Sequence, residues 1–229
     1  MSRLVLFDID GTLVTDRGAS RDAFADALSE VYGYRGDLSG YDFSGRTDPQ
    51  ISHMVLGDAG FSAETIDARI RDLWEIYTAG LERNAAAPGL VRGLPGMRPL
   101  LDALSAIQGA VLALLTGNIE RGARLKLAPP GFNPYFTFGA FGSDSADRNQ
   151  LPPIAVKRAG EATGRTFSGS DVVIIGDSIY DVRCGVPYDA TTIAVASGRT
   201  PAALLRAENP THFFESAEDT EAMLRAILG

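Results

Sequence analysis

The sequence predicts an α/β protein: a doubly wound, Rossmann-like parallel sheet with an inserted α-helical cap domain. Three observations carry this expectation. Short apolar runs without polar alternation recur, each ending in polar residues, the pattern of strands buried on both faces of a parallel sheet. Helical patterns fill the intervals between most of them. One long stretch after the first run, about residues 15–88, is helical and shows no convincing buried strand.

The first run, Leu4 to Phe7, meets Asp8-Ile9-Asp10-Gly11-Thr12-Leu13. Side chains alternate along a strand, so Asp8 and Asp10 are expected on one face of its tip. Two like charges held together are costly unless a cation or a proton sits between them. The long helical stretch follows. Asp22 to Tyr32 is one segment, and Asp48 to Gly60, with Ile51, Val55 and Leu56, is another. Ala63 to Leu81 is the longest, with Ile66, Ile70, Leu73, Trp74, Tyr77 and Leu81 near 3.6-residue spacing. Pro88-Gly89 and Pro95-Gly96 mark the return. The expected division is a core of residues 1–14 and 89–229 and a cap of residues 15–88. Both linkers meet the core near strand ends, which lets the cap sit over the Asp8/Asp10 tip.

In the core, a helix over Met97 to Ile107 precedes a second run, Ala110 to Leu115, ending in Thr116-Gly117-Asn118. Helices over Glu120 to Leu127 and Leu151 to Thr163 lead to a third run, Val172 to Ile175, ending in Gly176-Asp177-Ser178. A helix over Ile179 to Val186 leads to a fourth, Thr191 to Val195, with Ser197-Gly198 beyond it. Helices over Ala202 to Ala207 and Glu218 to Leu228 complete the pattern.

Composition excludes several functions. The 229 residues are 45% hydrophobic, enough for one sizeable core or a core plus a smaller unit. A net charge of -8 leaves no basic footprint for nucleic acid and no attraction to an anionic membrane. Cys184 is the single cysteine, which excludes an intrachain disulfide framework and a multi-cysteine zinc site, and it reads as a small buried residue. His53 and His212 are the two histidines, and no Gly-x-Ser-x-Gly occurs, so a Ser-His or Cys-His catalytic set is poorly supported. The four apolar residues before Asp8 are too few for a signal-peptide core, and no run approaches the ~18–20 residues of a membrane span. The expected location is the cytoplasm.

In doubly wound sheets, ligands bind beyond the carboxyl ends of the strands. Asp8/Asp10, Thr116/Asn118, Asp177/Asp181 and Ser197 would converge there. Asp8, Asp10 and Asp177 offer hard oxygen ligands of the type that hold Mg²⁺. Thr116 supplies a hydroxyl, Gly117 lets backbone N–H groups approach a ligand, and Asn118 opens a helix whose N-terminus favours anions. A cation site beside an anion site points to phosphate, and a carboxylate can act as nucleophile in phosphoryl transfer.

These three strand ends, read as Asp8-Ile9-Asp10-Gly11-Thr12-Leu13, Thr116-Gly117-Asn118 and Gly176-Asp177-Ser178-Ile179-Tyr180-Asp181, resemble motifs I, II and IV of the haloacid dehalogenase-like hydrolase superfamily. The helical insertion resembles the C1 cap of its phosphoglycolate phosphatase and β-phosphoglucomutase branch. The resemblance implies a nucleophilic Asp8 and an Asp10 that protonates the leaving alcohol and then activates water. It implies Mg²⁺ held by Asp8, the backbone carbonyl of Asp10 and Asp177, with Asp181 a further ligand or a support for its loop. Thr116, with the amides of Gly117 and Asn118, would bind the phosphoryl oxygens.

Motif III departs from the family pattern of a lysine followed by Pro-x-Pro. Here the stretch is Asp147-Arg148-Asn149-Gln150-Leu151-Pro152-Pro153, which favours Arg148, whose fork can clamp phosphate. The rival, Lys157, lies inside the next helix and reads as a snorkelling surface residue. The resemblance also implies that dehalogenases carry Tyr, and phosphonatases Ala, where this chain has Asp10, so phosphate ester chemistry is favoured. A phosphatase for a small phosphorylated metabolite is the expected function, with a sugar phosphomutase as the alternative and a non-catalytic phosphate-binding module as a lesser one. In the cap, Arg46 reads as a contact to an anionic substrate or as a surface arginine. Thr47 and Asp48 read equally as helix caps and as substrate contacts. Trp74 and Tyr77 read as cap core, His53 as a cap surface or packing residue, and Ser197 to Thr200 as a turn in preference to a lining of the crevice. Monomer and homodimer both remain open.

Overall fold

A computed structural model describes residues 2–229. Its centre is strand β1, Arg3–Phe7, whose aliphatic side chains are buried on both faces of the sheet. The sheet has six parallel strands in the order β5-β4-β1-β6-β7-β8. They are β4 (Ala110–Leu115), β5 (Gly139–Ala140), β6 (Val172–Gly176), β7 (Thr191–Val195) and β8 (His212–Phe214). From β1 the chain builds outward to β4 and β5, then crosses to β6 on the other side of β1. That reversal is the topological switch where such sheets bind ligands. Register completes the placement: Phe7 lies level with Leu114 and with Ile175. Asp8, Thr116 and Asp177 therefore emerge at the same edge.

Alternation along β1 sorts its side chains between two helical layers. Val5 and Phe7 join the cluster containing Leu100 and Leu104 of α4 (Met97–Ser105) and Met223 and Ile227 of α9 (Thr220–Leu228). Leu4 and Leu6 face Leu151, Ala155 and Ala159 of α6 (Leu151–Thr163) and Cys184 of α7 (Ile179–Gly185). The remaining core helices are α5 (Glu120–Leu127) and α8 (Ala202–Ala207).

The insertion carries α1 (Ala19–Tyr32), α2 (Asp48–Asp58) and α3 (Ala63–Ala85). Helices α1 and α3 pack closely at Gly80, where an added Cβ would stand 3.2 Å from the Cβ of Ala23. Thr47 and Gln50 form a reciprocal capping box on α2. The chain enters and leaves this region through a two-residue antiparallel ladder, β2 (Val14–Thr15) with β3 (Arg92–Gly93). The apolar cluster on the α4/α9 side continues into Leu28, Leu73 and Tyr77 of the insertion.

Several elements differ from the expected ones. Helix α1 begins three residues earlier and α3 runs four residues further than the apolar pattern reaches, to Ala85. Strands β2, β3, β5 and β8 were not expected. Each has two or three residues, too few for a periodic signal, and each is defined by its partner's backbone.

Candidate active site

Strand β1 stops at Phe7, one residue before Asp8. Asp8 continues the pairing beyond β1, its amide donating to the Ile175 carbonyl at 3.0 Å, and Asp10 sits in the turn that follows. The turn needs Gly11, at φ +78°, where an added Cβ would lie 2.4 Å from an Asp177 carboxylate oxygen. Both acids line one cavity, but they have different neighbours.

Asp8 is buried beside Asp177 and Asp181, and one carboxylate oxygen from each lies within 4.8 Å of the others. Asp177 accepts a hydrogen bond from the Thr12 hydroxyl at 3.2 Å. Asp181 serves α7 as well: its Oδ2 accepts from the Ser178 amide at 2.9 Å and from the Ser178 hydroxyl at 2.6 Å. The cation facing this group is Arg148. Its Nη2 donates to Asp8 Oδ1 at 3.2 Å, to Asp181 Oδ1, and to the Leu115 carbonyl at 3.4 Å. Arg148 opens a short 3₁₀ turn just before the proline-led start of α6, which aims the side chain inward. Lys157 is exposed on α6 and faces Glu161 at 3.8 Å, so the structure brings Arg148, not Lys157, to the acids.

Three buried carboxylates against one guanidinium leave excess negative charge. Burial, then repulsion from Asp181, pushes Asp8 up to about 7 despite the opposing pull of Arg148. Burial and the charges of Asp8 and Asp181 hold Asp177 well above the usual carboxylate range. Such a group is short of a cation.

Asp10 has other partners. Its Oδ2 accepts from Lys126 Nζ at 2.7 Å and from Asn118 Nδ2 at 2.8 Å. Lys126 also donates to Asn118 Oδ1 at 2.6 Å, and Asn118 Nδ2 to the Thr116 hydroxyl oxygen at 2.8 Å. Burial alone would depress the Lys126 ammonium, but the negative charge of Asp10 foremost, with Asp16 and Asp48, holds it charged. Sequence reasoning missed Lys126. Its signal was present: Ile119, Gly122, Ala123, Lys126 and Leu127 mark one face of α5, and a lysine on such a stripe requires a buried anion.

The insertion touches this edge through Arg46, Thr47 and Asp48. An added Cβ on Gly117 would stand 2.0 Å from the Arg46 carbonyl oxygen, so this glycine is required by the close approach of two backbones. The Asp48 amide donates to the Gly117 carbonyl at 2.8 Å, and the Asp48 carboxylate accepts from the Ile119 amide at 2.8 Å. Burial pushes Asp48 up to about 6, against the pull of Lys126. Thr47 caps α2 and donates from its hydroxyl to the Ala146 carbonyl at 2.7 Å. Arg46 donates from Nε to the Asp42 carbonyl at 3.2 Å and lies over the Tyr180 ring.

The cavity measures about 360 Å³. Asp8, Asp10, Thr116, Gly117, Asn118, Arg148, Asp177 and Arg46 all line it; Asp181 stands behind, joined through Arg148. Ser197 also lines it and donates to the Gly11 carbonyl at 2.7 Å. Tyr77 reaches the cavity wall as well as the apolar cluster, while Trp74 packs edge-on against it. His53 stands apart, paired with exposed Asp67 at 3.0 Å. Cys184 is fully buried, its thiol pushed up to about 12 by burial.

An acid cluster and the Thr116-Gly117-Asn118 strand end, meeting at the switch of a parallel sheet, agree with the likeness to known proteins. The family model of haloacid dehalogenase-like hydrolases matches residues 5–185. The chain belongs to this family. A phosphoglycolate phosphatase from Pseudomonas fluorescens (strain Pf0-1) is 25% identical over 214 residues, covering 92% of this chain and 75% of the relative. Among solved structures, a protein predicted to be a phosphatase from Clostridium acetobutylicum superposes with a TM-score of 0.75 at 20% identity, covering 98% and 99% of the two chains. A hydrolase from Pseudomonas syringae gives 0.74 at 19% identity, covering 99% of each chain. These two likenesses establish the fold. As a member of this hydrolase family, the chain is an enzyme. Among its described residues, no helix is long and apolar enough to cross a membrane.

Proposed function

We propose that this hydrolase is a Mg²⁺-dependent phosphatase that cleaves a small phosphorylated metabolite through an aspartyl-phosphate on Asp8. The observation that carries the reading is the split environment of the two motif I acids. Asp8 lies in a buried, cation-deficient carboxylate group, and Asp10 is held two residues away by a lysine and an amide.

The donor set fits a hard divalent cation. All the side-chain donors are carboxylate oxygens, they converge within 4.8 Å, and their mutual repulsion is only partly offset by Arg148. Asp8, Asp177 and the Asp10 backbone carbonyl would hold Mg²⁺, with Asp181 as a further ligand or as the anchor of Arg148. When bound, the ion neutralises charge on the phosphoryl oxygens and on Asp8.

The residues then divide the work. An Asp8 oxygen attacks phosphorus as the bond to the leaving oxygen breaks; Asp10 enters this step protonated on Oδ1, the oxygen that Lys126 and Asn118 leave free, and delivers that proton to the leaving oxygen. Asp10, now ionised, takes a proton from water; the water oxygen attacks phosphorus and releases inorganic phosphate and the Asp8 carboxylate. Arg148 orients Asp8 and offsets its charge. The Thr116 hydroxyl oxygen accepts from the Asn118 side chain at 2.8 Å and from the Asn118 backbone amide at 3.3 Å, which leaves its own proton free for a phosphoryl oxygen, beside the Gly117 amide.

Purified protein is expected to release phosphate from p-nitrophenyl phosphate with Mg²⁺, to stop with a chelator, and to lose turnover in Asp8→Asn. Full turnover in Asp8→Asn would overturn the reading. Isomer formation outrunning phosphate release across sugar phosphates would replace hydrolysis with the phosphomutase reaction.

A further inference from the structure

We propose that Asp48, carried by the insertion, is a positioning residue that acts through Asn118 on Asp10 and Thr116 together. The inference rests on the phosphatase reading and adds a residue to its machinery.

Helix α5 is preceded by Ile119, whose apolar side chain offers it no cap. The first amides of the helix therefore find acceptors elsewhere in the chain. The Ile119 amide donates to Asp48 Oδ2 at 2.8 Å, and the Glu120 amide to the Ser143 hydroxyl oxygen at 3.3 Å. Asp48 grips a second point, since its own amide donates to the Gly117 carbonyl at 2.8 Å. Its two bonds thus fall on either side of Asn118.

Asn118 joins the phosphate end of the site to the acid end. Its Nδ2 donates to the Thr116 hydroxyl oxygen and to Asp10 Oδ2, both at 2.8 Å, and its Oδ1 accepts from Lys126 at 2.6 Å. Both amide hydrogens and the carbonyl oxygen are committed, which leaves this side chain one orientation. A small rotation of the Asn118 backbone would turn the Thr116 hydroxyl and loosen Asp10 in one movement. Holding Gly117 and Ile119 prevents it.

Asp48 is itself firmly seated. It opens α2 directly after Thr47, which is fully buried, makes the capping box with Gln50 and donates to the Ala146 carbonyl at 2.7 Å. The Arg46 carbonyl oxygen fills the space beside Gly117. An exposed carboxylate could cap α5 with little desolvation cost. This one stands in the cavity wall, where burial raises it to about 6, and that cost points to a role beyond capping.

The test uses full-length Asp48→Ala, Asp48→Asn and Ile119→Pro enzymes. Asp48→Ala removes the acceptor, Asp48→Asn keeps one in its amide oxygen, and Ile119→Pro removes the donor at a φ of −63° that proline adopts. Asp48→Ala and Ile119→Pro should each lower kcat on an alkyl phosphate about 10- to 100-fold, the cost of displacing a catalytic group by about an ångström. The single-turnover first step on p-nitrophenyl phosphate, whose leaving group needs little protonation, should fall far less. KM should rise about 2- to 10-fold on both substrates, the worth of one hydrogen bond from Thr116. The Asn118 side-chain amide resonances should shift in Asp48→Ala, and Asp48→Asn should stay near the parent in every readout. The double variant should lose no more than the worse single one, because both remove the same bond. If Asp48→Ala does not fold, Ile119→Pro carries the comparison from the other partner. An equal kcat loss on both leaving groups, Asp48→Asn falling as far as Asp48→Ala, or unmoved Asn118 resonances would each overturn the proposal. Absence of Asp8-dependent turnover in the parent would overturn the phosphatase reading instead, and the Asn118 resonances then decide the positioning independently.

Discussion

Asp8 and Asp10 are two residues apart and open into one cavity, yet their surroundings are opposite in charge balance. Around Asp8, two further buried carboxylates outnumber the single guanidinium of Arg148. Around Asp10, a buried ammonium and an amide both hold one carboxylate oxygen, leaving the other unclaimed by any protein donor among the described residues. The first arrangement stores an electrostatic deficit of the kind a cation relieves. The second stores none and restrains orientation. In the proposed reaction, one apolar strand leading into two acids separates cation binding from proton handling.

The strongest way to break this contrast is to disable the Asp10 side. Asp10→Asn is expected to lower turnover of alkyl phosphates about 10²- to 10⁴-fold, the range for lost general acid–base catalysis. The first step on p-nitrophenyl phosphate, whose leaving group needs little protonation, should suffer far less in single-turnover kinetics. Lys126→Met keeps the acid but frees it, and should reproduce the same leaving-group dependence at a smaller loss, of order 10- to 100-fold. An equal loss for both leaving groups would assign Lys126 to folding alone.

Arg148→Met attacks the other side. Removing one partner of a buried ion pair costs about 3–5 kcal/mol, so urea unfolding of metal-free protein should show a loss of that order. Added Mg²⁺ should restore more stability in this variant than in the parent, because the carboxylate deficit is larger. Equal Mg²⁺ effects in the two proteins would detach Arg148 from the metal site.

The smallest effect sharpens the contrast through pH. In metal-free protein Asp8 titrates near 7, above the ordinary value of 3.8, and Asp48 is shifted the same way to about 6. The folded state then binds protons that the unfolded state has released. These groups contribute stability fully below pH 3.8, and that contribution is lost as pH rises toward 7. The thermal midpoint of chelated protein should fall by more across this window in the parent than in Asp8→Asn. Mg²⁺ should stabilise the parent most above pH 7. Parallel pH profiles for the parent and Asp8→Asn would contradict the Asp8 assignment.

Legibility in the sequence followed the range of the physics. The runs before Asp8, Thr116 and Asp177 are local apolar patterns, and they appear as β1, β4 and β6. Strands β5 and β8 have two and three residues and no pattern of their own. Arg148 was readable through the prolines that start α6, and Thr47 through the capping box it makes with Gln50. Lys126 was readable in principle, as a charge on a buried helical stripe. Its partner was not, because 116 residues separate it from Asp10.

The sequence alone determined the alternation of buried strands and helices, the acids at the strand tips and the helical insertion, since each depends on neighbours within a few residues. Only the tertiary structure decided which cation serves which acid and which backbone crowds Gly117. Coulombic and steric terms act over ångströms in space, and chain spacing does not report them.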